Sequence, residues 1–313
     1  MIVDSRMMLG FVLLLTSDKY WTHMKLRIIL ITLLAITCQT FAQPIKVNRF
    51  DDADEFLPKA EQRNKNKIRL FLRQQDEETL FKVTSPRNVT IDVISNVPAN
   101  AEYGVIFLLG GTSVLSIVNE RLDRSFSFQP RSRDYWWKNK FATFLVDAPS
   151  DRLDKNGIGD TLWRTGKDHQ ADLQAVVLEI EKRFKMPLVI HGHSNGAISN
   201  ANIAQLKNPS VKAFIYSGSA FMGRGADILS RVEHTTPVLI IHHRSDRCSV
   251  SPSNGVANFV ERLIAPEKVT LWVEGGVDAM SGDCGPFAPH SFIGREEATI
   301  NSAAEQIKQW LHK

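Results

Sequence analysis

Leu188-Val189-Ile190-His191-Gly192-His193-Ser194-Asn195-Gly196-Ala197-Ile198 is the stretch that decides how this chain folds. Branched apolar residues enter it, a G-H-S-N-G pentapeptide turns it, and small helix-tolerant residues leave it. A G-x-S-x-G pattern between a strand and a helix is the context a nucleophile elbow requires, with the serine exposed at the end of a sheet. Side chains at Gly192 and Gly196 would collide with the neighbouring strand and helix, and the serine is held in strained backbone geometry. Ser194 is therefore the first candidate for chemistry.

Outward from this stretch the chain alternates. Apolar strand candidates are 104–109, 141–146, 188–190, 213–216, 238–241 and 269–273. Continuous apolar runs of this length suit strands buried on both faces of a parallel sheet. Helical patterns lie between them, clearest over 168–184, where Leu173, Val176, Val177 and Ile180 recur at i, i+3, i+4 and i+7. Further helices are expected over 195–206, 254–263 and 295–311. The runs 79–84 and 89–94, separated by Ser85-Pro86-Arg87-Asn88, read as an antiparallel hairpin at the sheet edge. The expected fold is α/β, a mostly parallel doubly wound sheet with an antiparallel N-terminal hairpin. The stretch 217–237 is too short for a separate cap domain. The stretches 110–134 and 147–167 read as long connections after strand ends, where ligands bind in such sheets.

Composition bounds the function. A hydrophobic content of 43% with 23% charged residues is globular, and 313 residues supply a large core. The formal charge of +4 is modest and its basic residues are scattered. No basic stripe interleaved with aromatics is present, so a nucleic-acid partner is not expected. Near the N-terminus, Met24-Lys25-Leu26-Arg27 is a short basic start, 28–37 is an apolar core, and Thr40-Phe41-Ala42 offers small residues before a cleavage point. This reads as a secretory signal peptide with Met24 as the start, and the apolar core is too short to span a membrane. Residues 1–42 are thus assigned to the signal region, 43–78 to a polar lead-in and 79–313 to one catalytic domain. The expectation is an exported protein, periplasmic or secreted, with no stable membrane span after cleavage. The mature chain then holds two cysteines, Cys248 and Cys284, and an even count in an exported chain suggests one disulfide. Two cysteines alone make no tetrahedral zinc site, and neither metal nor cofactor is expected.

A serine hydroxyl attacks only when a base takes its proton and a third group orients that base. Following an elbow of this kind, carboxylate and histidine come in that chain order, each just past a strand end. After 238–241 comes His242-His243-Arg244-Ser245-Asp246-Arg247-Cys248. After 269–273 a loop reaches Ser281-Gly282-Asp283-Cys284-Gly285-Pro286-Phe287-Ala288-Pro289-His290. Asp246 and His290 stand in the two expected places, with Asp278 and Asp283 as alternative acids. A disulfide between Cys248 and Cys284 would tie the two loops together. An oxyanion needs preorganised donors. The backbone N–H of Asn195 and that of Gly111 or Thr112, in Gly110-Gly111-Thr112, are the candidates. His242 and His243 are expected to pack beside the acid loop rather than hold a metal. His191 and His193 are expected to be structural, and His169 to border the cleft at a helix start. Ser219, in Ser217-Gly218-Ser219-Ala220, lacks the second glycine of an elbow.

Together G-H-S-N-G, G-G-T, H-H-R-S-D-R-C and C-G-P-F-A-P-H-S-F resemble the α/β-hydrolase superfamily. More narrowly they resemble a group of small exported bacterial hydrolases, also similar around Trp163-Arg164-Thr165 and His169-Gln170-Ala171-Asp172-Leu173. The resemblance covers roughly residues 79–312 and implies Ser194 as nucleophile, Asp246 as acid and His290 as base. The implied activity is cleavage of an ester or related acyl bond in a small-molecule or lipid-like substrate, without cofactor. A peptidase or acyltransferase on the same triad, and an inactive binding protein of the same fold, are the competing expectations.

Overall fold

Apolar β-branched and aromatic residues dominate the strands because most strands are covered on both faces. The computed structural model describes residues 78–118, 121–124 and 127–312. The expected signal region and the lead-in up to residue 77 lie outside the described residues. Eight strands form one sheet: β1 (Thr79–Thr84), β2 (Thr90–Asn96), β3 (Tyr103–Leu108), β6 (Phe141–Pro149), β7 (Leu188–His193), β8 (Val211–Ser217), β9 (Val238–His243) and β10 (Lys268–Val273). Their spatial order is β1-β2-β6-β3-β7-β8-β9-β10. β1 pairs antiparallel with β2, and β2 antiparallel with β6. Every other neighbouring pair is parallel. This is the expected mostly parallel sheet with an antiparallel N-terminal hairpin at its edge, and no cap domain occurs among the described residues.

The helices are α1 (Phe128–Lys138), α2 (Lys167–Phe184), α3 (Gly196–Ala204), α4 (Ile228–Arg231), α5 (Val256–Arg262) and α6 (Glu296–Leu311). Strand residues alternate between two cores. Ile106 and Leu108 of β3 face one core with Leu173, Val176, Val177 and Ile180 of α2, Ala197 and Ile198 of α3, and Phe259 of α5. Val105 and Phe107 face the other core with Phe128, Tyr135 and Trp136 of α1 and Ile300, Ile307 and Trp310 of α6. Burying each such side chain stabilises the fold by about 1.5–3 kcal/mol. Charge placement agrees with the helix dipole in α2, which has Asp168 in its first turn and Lys182 and Arg183 in its last.

Two expected connections differ from the structure. The stretch 110–134 is not a plain connection: it holds a small hairpin, β4 (Ser116–Val118) with β5 (Arg121–Arg124), and then the start of α1. Buried Gln129, Arg131, Ser132 and Arg133 in α1 disguised it. The following connection also starts later than expected, because β6 continues through Asp147 to Pro149.

Candidate active site

Ser194 sits where β7 ends and α3 begins, with a left-handed φ of 52°. For a residue with a Cβ this conformation costs on the order of 1–3 kcal/mol, and the surroundings must hold it. They do so from both sides. Ser194 N–H donates to Ser217 O at 3.0 Å, and Ser194 O accepts from the N–H groups of Ala197 and Ala220 at 3.0 and 3.2 Å. The second elbow glycine is compulsory, since a methyl group at Gly196 would lie 2.0 Å from Leu108 O. A methyl group at Gly110 would lie 2.7 Å from Ser194 Cβ, so the G-G-T turn packs directly against the serine.

The parallel arrangement delivers the other loops to the same end of the sheet. A cleft of about 340 Å³ is lined by Gly110, Gly111, Thr112, Ser127, His193, Ser194, Cys284, Pro286 and His290, among others. Asp246, just past β9, is buried, as is His290 in the loop after β10. His290 Nδ1 lies 2.9 Å from Asp246 Oδ2. A carboxylate can only accept, so Nδ1 carries a proton, and in the neutral ring that leaves Nε2 as the basic nitrogen. Nε2 is buried and has no hydrogen-bond partner among the described residues. Asp246 is held in turn: Oδ1 accepts from Cys248 N–H at 2.8 Å, and Oδ2 from Ser251 Oγ at 3.0 Å. Ser251 Oγ also lies 2.9 Å from His290 Nδ1. Cys248 and Cys284 form a disulfide that joins the Asp246 loop to the His290 loop.

The alternative acids lie elsewhere: Asp278 and Asp283 line a separate cleft with Arg247 and His243. His242 and His243 pack as expected, donating to Ser251 O at 3.0 Å and Gly275 O at 2.9 Å. Desolvation pushes His242 down to about 4, although Asp246 nearby opposes the shift. His191 is buried with Nε2 2.8 Å from Ser217 Oγ, and burial pushes it down to about 3. His193 lines the cleft, with Nδ1 3.1 Å from Ser217 O, and burial first and His290 second hold it neutral, far below its ordinary value. His169 does not border this cleft. It is buried at the start of α2, with Nε2 2.8 Å from Ser199 Oγ, and lines a separate small cavity of about 20 Å³. Ser219 is buried and is not presented to the cleft described here.

The N–H groups of Asn195, Gly111 and Thr112 donate to no group among the described residues. Gly111 has a φ of 56° and open space around the position a Cβ would take. No cluster of three or more metal-ligating side chains occurs among the described residues.

Several supporting residues escaped the sequence reading. Arg131 of α1 is buried and reaches the His290 loop through main-chain carbonyls. Its Nη1 donates to Pro286 O at 2.6 Å, its Nη2 to Ser291 O, and its Nε to Glu296 Oε1 at 2.7 Å. Ser251 and Ser217 likewise reach partners distant in sequence, His290 for the first and His191 for the second. No local pattern announces any of these three.

The sequence matches no protein-family pattern and no curated protein. Its structure is similar to that of the Pyrococcus furiosus esterase Pf2001, with a TM-score of 0.52 at 15% identity over 75% of this chain and 92% of that one. A lidless α/β serine hydrolase from Xanthomonas campestris matches with a TM-score of 0.51 at 15% identity, over 75% of this chain and 96% of that one. Est1E from Butyrivibrio proteoclasticus gives 0.51 at 15% identity, over 75% of this chain and all of that one (100%). With the sheet order and the strand-to-helix turn at Ser194, these likenesses fix the architecture: the chain has the α/β-hydrolase fold.

Proposed function

We propose that the chain is an exported serine hydrolase that cleaves a carboxylic ester or related acyl bond through an acyl-enzyme. The observation that carries this reading is the polarity of His290: Nδ1 faces buried Asp246 at 2.9 Å, Nε2 has no partner among the described residues, and His290 lines the same cleft as Ser194. In the first step Ser194 Oγ bonds to the acyl carbon and its proton passes to His290 Nε2. The carbonyl oxygen becomes an oxyanion, received by the N–H of Asn195 and that of Gly111 or Thr112. Collapse expels the alcohol, which takes the proton from Nε2. Water then loses a proton to Nε2, attacks the acyl carbon and releases the acid, and the proton returns to Ser194. Asp246 holds the imidazole in the required tautomer and stabilises its cation.

An ester substrate is favoured by the structural neighbours, two of which are named esterases or serine hydrolases. The described lining of the cleft holds no Asp, Glu, Lys or Arg, which suits a neutral small molecule. Export is supported by the disulfide and by the basic-then-apolar segment over 24–42. A fluorophosphonate probe tests the assignment: it should modify Ser194, and Ser194→Ala should abolish both labelling and hydrolysis of a short p-nitrophenyl ester. Hydrolysis unchanged in that variant would remove the assignment.

A further inference from the structure

Arg164 is fully buried, yet it forms no ion pair with any carboxylate among the described residues. A buried charge left without a counter-ion is costly and persists only where its hydrogen bonds are well satisfied. All the groups that satisfy Arg164 are neutral oxygens. Nε donates to Ile158 O, Nη1 to Ser199 Oγ, and Nη2 to both Gly111 O and Ser113 Oγ, each at 2.9 Å. Two of these acceptors belong to the Gly110–Ser113 turn that follows β3. A third, Ser199, belongs to α3, the helix that Ser194 launches.

We infer that Arg164 is a positioning residue for the oxyanion site, fixing the Gly110–Ser113 turn at a set distance from the helix that begins after Ser194. The inference rests on reading Ser194 as the nucleophile. The two donors proposed for the oxyanion sit on separate segments, Asn195 at the head of α3 and Gly111 or Thr112 on the turn. Of the turn's own side chains only Ser113 is anchored, its Oγ donating to Leu109 O at 2.6 Å and accepting from Arg164; Gly111 has none, and Thr112 is exposed. The middle of the turn is gripped by its carbonyls. Gly111 O accepts from Arg164, and Thr112 O accepts from Ile158 N–H at 2.9 Å. Because the peptide is trans and planar, a carbonyl bonded to Arg164 directs the N–H of the same unit, on Thr112, the opposite way. The guanidinium also draws electron density toward Gly111 O, which makes that N–H a stronger donor. His169 completes the brace as a second partner of Ser199, with Nε2 2.8 Å from Ser199 Oγ.

The test uses the full chain and two variants, Arg164→Gln and Ser199→Ala, read by the rate of Ser194 modification by a fluorophosphonate and by ester kinetics. Loss of one oxyanion donor elsewhere costs about 100- to 1000-fold in kcat, so Arg164→Gln should lose about 100-fold in kcat and in labelling rate, with KM nearly unchanged. Affinity for a trifluoromethyl ketone, which becomes an oxyanion on Ser194, should fall in parallel with kcat/KM. Arg164→Lys, which keeps the charge but not the fork, should recover only part of the loss. Ser199→Ala deletes a single small group and keeps the fold, so it stands in should Arg164→Gln fail to fold; about a tenfold loss of labelling rate is expected, the equivalent of one hydrogen bond from a charged donor. Wild-type labelling retained at full rate in a folded Arg164→Gln, or in Ser199→Ala, overturns the inference alone. Failure of the wild-type chain to label at Ser194 overturns the function proposed above, and the positioning role falls with it.

Discussion

Lowering the pH from 7 to 5 should strip this fold of much of its stability, and the buried histidines set the size of the loss. Desolvation holds His191 down to about 3 and His234 and His242 down to about 4. A histidine depressed in the fold stabilises it above the unfolded value near 6.5, and that stability drains away as the pH falls toward 3–4. At pH 5 the unfolded chain takes up a proton at each site that the fold refuses, a difference of about 2 kcal/mol per histidine relative to pH 7. Three such groups give about 6 kcal/mol. Asp147 works the other way. Burial, opposed by the N–H groups of Leu115 and Ala148, raises it from 3.8 to about 7. Its stabilisation is present below 3.8 and lost as the pH rises through 7, so acidification to pH 5 returns about 2 kcal/mol. The net loss is about 4 kcal/mol, against a total stability of about 5–15 kcal/mol for a typical domain. His169 and His193, both desolvated far below their ordinary values, add to the loss. Urea unfolding at pH 5, 6, 7 and 8, followed by the fluorescence of buried Trp136, measures it. Equal or greater stability at pH 5 than at pH 7 would refute the reasoning. Asp147→Asn keeps an acceptor for both N–H groups and should stabilise the chain most above pH 7.

Other outcomes can be checked individually. Asp246→Asn should preserve the fold but lower kcat by about 10⁴-fold, because the amide no longer fixes the His290 tautomer; a loss under tenfold on ester substrates would contradict its assignment as the acid. Ser251→Ala removes one donor to Asp246 Oδ2 and should lower kcat by about tenfold while raising the lower apparent pKa of the pH–rate profile; an unmoved profile would leave Ser251 a packing residue. Gly196→Ala drives a methyl group to 2.0 Å from Leu108 O and should cost about 3 kcal/mol or more, seen as a drop in melting temperature together with lost labelling of Ser194. Replacing Cys248 and Cys284 by serine opens a link spanning 36 residues and should cost up to about 4 kcal/mol, read by urea denaturation.

Much of this was legible in one dimension, for reasons that differ between elements. The elbow could be read because its constraints are local: Gly192 and Gly196 answer to atoms within a few residues or on the adjacent strand. The parallel strands could be read because burial on both faces leaves an unbroken apolar run, as in Val238-Leu239-Ile240-Ile241. That Asp246 and His290 would meet could be read from their positions after strands. Helix α1 could not be read. Gln129, Arg131 and Arg133 look like surface residues, and only partners such as His191 O and Glu296, far away in sequence, make them interior. His169 was placed beside the cleft because its helix starts there. Its depth depends on Ser199, which lies 30 residues downstream on a different helix. Arg164 could be read only as part of Trp163-Arg164-Thr165, with no role, because the turn it grips lies 53 residues upstream.

The grip of Arg131 on the His290 loop has a consequence for how this protein could change. It holds Pro286 O and Ser291 O, both atoms of the main chain. An anchor on carbonyls is indifferent to the side chains around it, so the exposed positions 282 and 283 of the same loop are open to substitution while His290 stays seated. Asp283 lines the neighbouring cleft with Asp278 and Arg247, so a library varied at 282 and 283 would reshape that cleft while the lining around Ser194 keeps its chemistry.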